Sequence, residues 1–149
     1  MKKNLSDSRA AASIVARVSS LKVTDKPRWG SMNATEMLYH CNLCNEQVLA
    51  GAMEYRNDTV KSKLLKVLAL YIAPNFKKHI QSVERNDTKG LISNEEFEYQ
   101  KSQFAAIIRK VQEMKMMSGT HPAFGNLDTK QWGIALYKHM DHHLRQFGV

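Results

Sequence analysis

The sequence predicts an all-α fold, an up-and-down four-helix bundle with one extra short helix or irregular segment. Three observations predict it. Apolar residues recur at the helical period over several long stretches. Helix-start signatures head those stretches, such as Asn33 with Glu36 three residues on. No segment alternates convincingly at period two, so no substantial sheet is expected. Long helices joined by loops in 149 residues point to a single bundle domain over residues 1–149.

The elements follow in order. Residues 6–20 read as a first helix, with Ser6 or Asp7 as N-cap and an Ala-rich body. The stretch from Val23 to Gly30 holds Pro27 and Gly30 and reads as a loop, with Trp29 expected to plug the end of the core. A second helix begins after Asn33 and runs to about Leu49, stopping near Gly51. Residues 59–73 form a third apolar-periodic stretch, capped by Asp58 or Thr59 and closed by Pro74. From Asn75 to Ile92 the chain is polar and reads as irregular turns or a short strand. A fourth helix is expected from Ser93, with Glu96 completing a capping box, to about Met117. The segment 118–126 reads as a loop, and Asp128 with Gln131 caps a final helix that runs nearly to the C-terminus.

Composition narrows the class. A hydrophobic fraction of 43 % with 24 % charged residues is that of a globular domain, long enough to bury a core without disulfides. No apolar run approaches the roughly 18 residues of a membrane span, so no membrane partner is expected. Neither an apolar stretch nor a small-residue cleavage site follows the basic N-terminus, and a cytoplasmic location is the default. Cys41 and Cys44 lie too close in one predicted helix to staple the fold and are expected to be reduced. The net charge of +8 would attract anions. The lysines and arginines are dispersed, however, and the denser patches lack the aromatic interleaving of a single-strand platform, so a nucleic-acid partner is not expected.

The last helix carries the chemistry. At 100° per residue, Trp132, Leu136, His139, Met140, His143 and Phe147 fall on one apolar stripe, with Lys138, Asp141 and Arg145 opposite. His139 and His143 therefore lie one turn apart and face inward, while His142 lies off the stripe's edge. Such a pair can present two ring nitrogens to one ion, or be satisfied by carbonyls and water at the end of a bundle. His40, mid-helix on a face shared with Met37, Cys44 and Gln47, is the third candidate. Bundle cores bring such positions together, and three neutral imidazoles leave a coordination position open.

The matching residues go further. They are Trp29-Gly30-Ser31-Met32 with Glu36 to His40, His121 to Gly125, and Trp132-Gly133 with Tyr137 to Gly148. In these the chain resembles the DinB-like (YfiT-like) superfamily of metal-dependent bundle proteins, and more closely an uncharacterised branch of it. The last block is the most specific, because Gln146 follows His143 by three residues. The resemblance implies a four-helix bundle with a three-histidine site at His40, His139 and His143, and a homodimer. Superfamily activities include thiol-dependent transferases and isomerases, and this branch brings no settled activity.

The expected function is that of a metal-dependent enzyme acting on a small-molecule substrate. A divalent ion on three imidazoles would lower the pKa of a bound water or low-molecular-weight thiol, for hydrolysis or group transfer. Zinc is the first choice of metal, with nickel, iron and copper also suited to imidazole ligands. His142, Gln146 and Gln47 are further candidates for catalytic or orienting roles. His121 is assigned to a turn, and Cys41 and Cys44 to packing, although Cys44 stands one turn from His40. The alternative is a non-catalytic module that binds a metal, a small ligand or nucleic acid.

Overall fold

The computed structural model describes residues 2–51, 58–79 and 84–149. The chain is mostly helical. Helix α1 (Ser8–Ser20) is capped by Asp7, whose carboxylate accepts the Ala10 N–H at 2.9 Å, and it buries Ala10, Ile14 and Val18 at helical spacing. Helix α2 (Ala34–Leu49) has the expected reciprocal cap. Asn33 accepts from the Glu36 N–H at 2.9 Å, and Glu36 accepts from the Asn33 N–H at 2.7 Å. The chain leaves α2 through Gly51, whose φ of 65° favours glycine.

Helix α3 (Val60–Val67) starts from a Thr59–Ser62 capping box and widens into a π turn over Leu68–Ile72 before Pro74. Helix α4 (Phe97–Glu113) begins later and ends earlier than expected. Ser93 accepts from the Glu95 N–H and caps a 3-10 turn, Asn94–Glu96, instead of the α-helix itself, and Met114 is already extended. Helix α5 (Thr129–Gln146) carries the Asp128–Gln131 capping box.

The segment expected as a loop holds a small antiparallel hairpin, β1 (Gly119–His121) with β2 (Gly125–Leu127), in which Thr120 pairs with Asn126. Its turn is built by a side chain. His121 Nδ1 accepts the N–H groups of Ala123 and Phe124 at 3.1 and 3.3 Å. Gly125 supplies a φ of 69°, and Asp58 accepts the Asn126 N–H at 2.7 Å. His121 also stacks on Phe124, as the turn-and-packing reading required.

Helix α2 packs chiefly on α4 and also on α5, and α1 packs on α4 and α5. The principal contacts therefore do not follow chain order, because α1 and α2 are not a leading pair. Ile14, Leu38, Phe104, Ile107 and Met140 fill the space between these four helices and have no exposed surface. Within the polar segment, the 3-10 turn at Glu84–Asn86 and the residues to Gly90 lie along α2. Thr88 donates to the Glu36 carbonyl at 2.8 Å, and the Gly90 N–H donates to the Glu36 carboxylate at 2.7 Å. Residues 80–83, also read as irregular, lie outside the described residues.

One face of α5 departs from its reading. Helical spacing puts Lys138 opposite the apolar stripe, yet it is buried, because the π turn covers it. Its ammonium donates to the carbonyls of Ala69 and Ala73 and so satisfies the end of the π turn. Asp141 and Arg145 pair on the outer side, where Asp141 also accepts from Arg17 at 2.6 Å. No helix among the described residues is long and apolar enough to cross a membrane.

Candidate metal centre

His40 on α2 and His139 and His143 on α5 come together in one cluster, with one ligand nitrogen of each within 4.8 Å of the others. The ring centroids form a nearly regular triangle of 5.2, 4.8 and 4.8 Å. The Nε2 atoms of His40 and His139 are 3.1 Å apart. Two nitrogens bound tetrahedrally at about 2.0–2.1 Å would stand roughly 3.3 Å apart, so that pair already has a ligand spacing. The His143 nitrogen lies within 4.8 Å of both.

Two of the rings are oriented by fixed acceptors. The carbonyl of Asn86 lies 2.7 Å from His40 Nδ1, so this nitrogen carries the proton and Nε2 keeps its lone pair. Asn86 is held in turn by Gln47, whose amide donates to Asn86 Oδ1 at 2.8 Å. Gln146 Oε1 accepts from His143 Nδ1 at 2.9 Å, while Gln146 Nε2 donates to the Trp29 carbonyl at 2.6 Å. The second bond decides which end of the amide faces His143, and hence the tautomer of His143. Both glutamines singled out in the sequence therefore act on rings of the cluster, one directly and one through Asn86.

Gly30 makes the second arrangement feasible. Its φ is 81°, and a Cβ there would stand 2.5 Å from Gln146 Nε2. The Arg28 N–H donates to the Gln146 carbonyl at 2.7 Å, which ties the same turn to the end of α5. Trp29 is half-buried and lines a cleft instead of plugging the core. Trp132, on the expected inward stripe, is a core residue, and so is Phe124.

The cluster favours neutral imidazoles. Burial lowers the pKa of His40, against opposing effects of the Asn86 bond and the Asp87 charge. His139 is pushed well below the usual range by burial, and further by His143 and His40. His143 falls to about 3, through burial and then the charge of His40, with the Gln146 bond opposing. Neutral imidazoles are the form that a cation requires, and no carboxylate joins this group among the described residues. The donor set fits a first-row divalent ion.

His142 stands beside the centre. Its ring meets Trp29 edge-on at 5.7 Å and His143 at 5.2 Å. Burial and the charge of Arg145 lower its pKa, against a bond to the Phe76 backbone and the Asp141 charge. A cleft of about 430 Å³ opens here, with His142, His143, Gln146, Trp29, Glu84 and Asp87 in its walls. Cys44 Sγ lies 3.8 Å from His40 Nε2 and 4.0 Å from Nδ1. The group of ligand atoms that lie within 4.8 Å of one another is His40, His139 and His143, and Cys44 is not a member of it. Burial, then Cys44, raises the Cys41 thiol well above its usual range, which marks it as inert packing.

Asn86 was missed by the sequence reading, and nothing local to it signals a role. The sequence places Trp29 only as an aromatic in a loop, because the closeness of that loop to α5 is a tertiary fact. No curated protein and no solved structure matches this chain. A family described as "Protein of unknown function (DUF1569)" matches residues 2–148, and the chain therefore belongs to the DUF1569 family.

Proposed function

We propose that the protein is a metal-dependent enzyme of DinB-like four-helix-bundle type, with α3 as the extra helix. One divalent ion, zinc in the first instance, is held by His40, His139 and His143. The observation that carries this reading is the convergence of three neutral imidazoles, two of them with Nδ1 committed to fixed acceptors. When bound, the ion supplies Lewis-acid activation of a water or small thiol at the position that three protein ligands leave open.

The chain's own residues do the rest. Asn86 and Gln146 aim two of the ligand rings. Trp29 and Met32 give the cleft an apolar wall on which a small-molecule substrate can lie beside His143. His142, kept neutral by burial, faces the same cleft and is the candidate to accept or return a proton. Group transfer to a low-molecular-weight thiol suits a cytoplasmic setting, and hydrolysis uses the same machinery.

Metal analysis of the purified protein, followed by a screen of zinc-loaded protein with thiols against electrophiles and simple esters, tests the reading. One equivalent of divalent metal is expected, lost in His40→Ala. Metal-free protein whose affinity is unchanged in His40→Ala removes the site. Activity that survives loss of all three histidines removes the mechanism.

A further inference from the structure

The helix formed by α3 and its π turn leaves its outer face uncovered by any described residue. Nine residues between Val60 and Ile72 are exposed, and seven of them are apolar. Val60 is 86 % exposed, Leu64 59 % and Ile72 63 %, with Leu65, Val67, Leu68 and Tyr71 completing the stripe. The other two are Lys61 and Lys63. Only Leu70 is buried, so little of this element's apolar surface serves the core. A continuous apolar face on a surface helix marks a contact with something other than water.

Charge selects the occupant. From Thr59 to His79 the chain holds Lys61, Lys63, Lys66, Lys77 and Lys78, and no aspartate or glutamate. Lys77 and Lys78 are exposed just beyond the helix. A second copy docked on the same face would set Lys61 and Lys63 against their counterparts with no acid on the helix to pair them. Nucleic acid would meet the lysines but leave the seven apolar side chains in water. An apolar stripe with Lys63 at its edge and the long stem of Lys61 rising from within its first turn satisfies both requirements when the helix lies in the plane of an anionic lipid surface, with acyl chains below and phosphates beside the ammonium groups. At about 1.5 Å per residue the element is roughly 20 Å long, too short to span but sufficient to lie in the interface.

We propose that the α3–π helix docks the protein peripherally on anionic membranes. The absence of a spanning segment, from which no membrane partner was expected, does not bear on an in-plane helix. The docking is independent of the metal centre.

Co-sedimentation of the full chain with phosphatidylcholine vesicles, with and without phosphatidylglycerol, tests this. Binding is expected only with phosphatidylglycerol, weakening as salt rises. Leu64→Ser with Leu68→Ser should abolish it. Lys61→Glu with Lys63→Glu should weaken it about tenfold or more. All four positions are exposed, and matched thermal melts confirm that the variants fold. A Tyr71→Trp reporter should gain a blue-shifted emission on the anionic vesicles. Failure to bind them, or equal binding to neutral vesicles, overturns the proposal. So does a dimer in solution that Leu64→Ser with Leu68→Ser dissociates while no vesicle binding is seen, or duplex DNA bound in place of vesicles.

Discussion

Gln146 holds His143 in one tautomer: its Oε1 accepts the His143 Nδ1–H at 2.9 Å because its Nε2 is already committed to the Trp29 carbonyl at 2.6 Å. A partner of this kind typically sets metal affinity by tenfold to a hundredfold. Gln146→Ala should weaken zinc binding by about that factor, measured by chelator competition. Gly30→Ala should act in the same direction, because its Cβ would push Gln146 Nε2 away and its φ of 81° suits only glycine. Unchanged affinity in both variants would show that His143 needs no such support.

Metal binding should stabilise the fold. A ligand at a hundredfold excess over its Kd adds about 2.7 kcal/mol, which for a domain of this size raises Tm by roughly 5–10 °C. Differential scanning fluorimetry with zinc should show that rise in the native chain and none in His40→Ala or His143→Ala. A similar rise in the variants would mean that the ion binds elsewhere.

Acid should destabilise the protein from about pH 6.5 downward. Burial lowers His121 to about 4. Burial, then the charge of His40, lowers His143 to about 3. In the unfolded chain both titrate near 6.5, so as pH falls the unfolded state takes up protons first. Their contribution is constant above that pH, declines through the interval, and levels off once the folded rings are protonated. Urea midpoints at stepped pH should follow this course. His121→Asn, which keeps a turn acceptor but cannot titrate, should flatten the slope between about pH 6.5 and 4. A slope unchanged in that variant would count against a depressed His121.

Lys138 should matter to stability more than a surface lysine does. Its ammonium satisfies the carbonyls of Ala69 and Ala73 in a buried position. Lys138→Met keeps the length of the stem but leaves those acceptors unpaired, which costs about 1–3 kcal/mol. Chemical denaturation should show that loss. The metal affinity should stay within about twofold, because Lys138 faces the π turn and not the three histidines.

Much of this protein was decided within short windows of sequence. The capping boxes at Asn33–Glu36 and Asp128–Gln131 join groups three residues apart, so the residue types alone predict the bonds that form. The inward stripe of α5, with His139 and His143 one turn apart, follows equally from helical geometry. His40 was legible only as an inward histidine, since its companionship with α5 depends on how the helices pack.

The remainder belongs to the assembled chain. Asn86 orients His40 across 46 positions, and Trp29 fixes the Gln146 amide across 117. Lys138 is buried only because the π turn lies over it, and α3 keeps an apolar face outward because no described element packs there. A backbone cap closes between neighbours and can be read from them. A ring aimed by a distant carbonyl depends on where two remote segments come to rest, and that is settled only when the whole core closes.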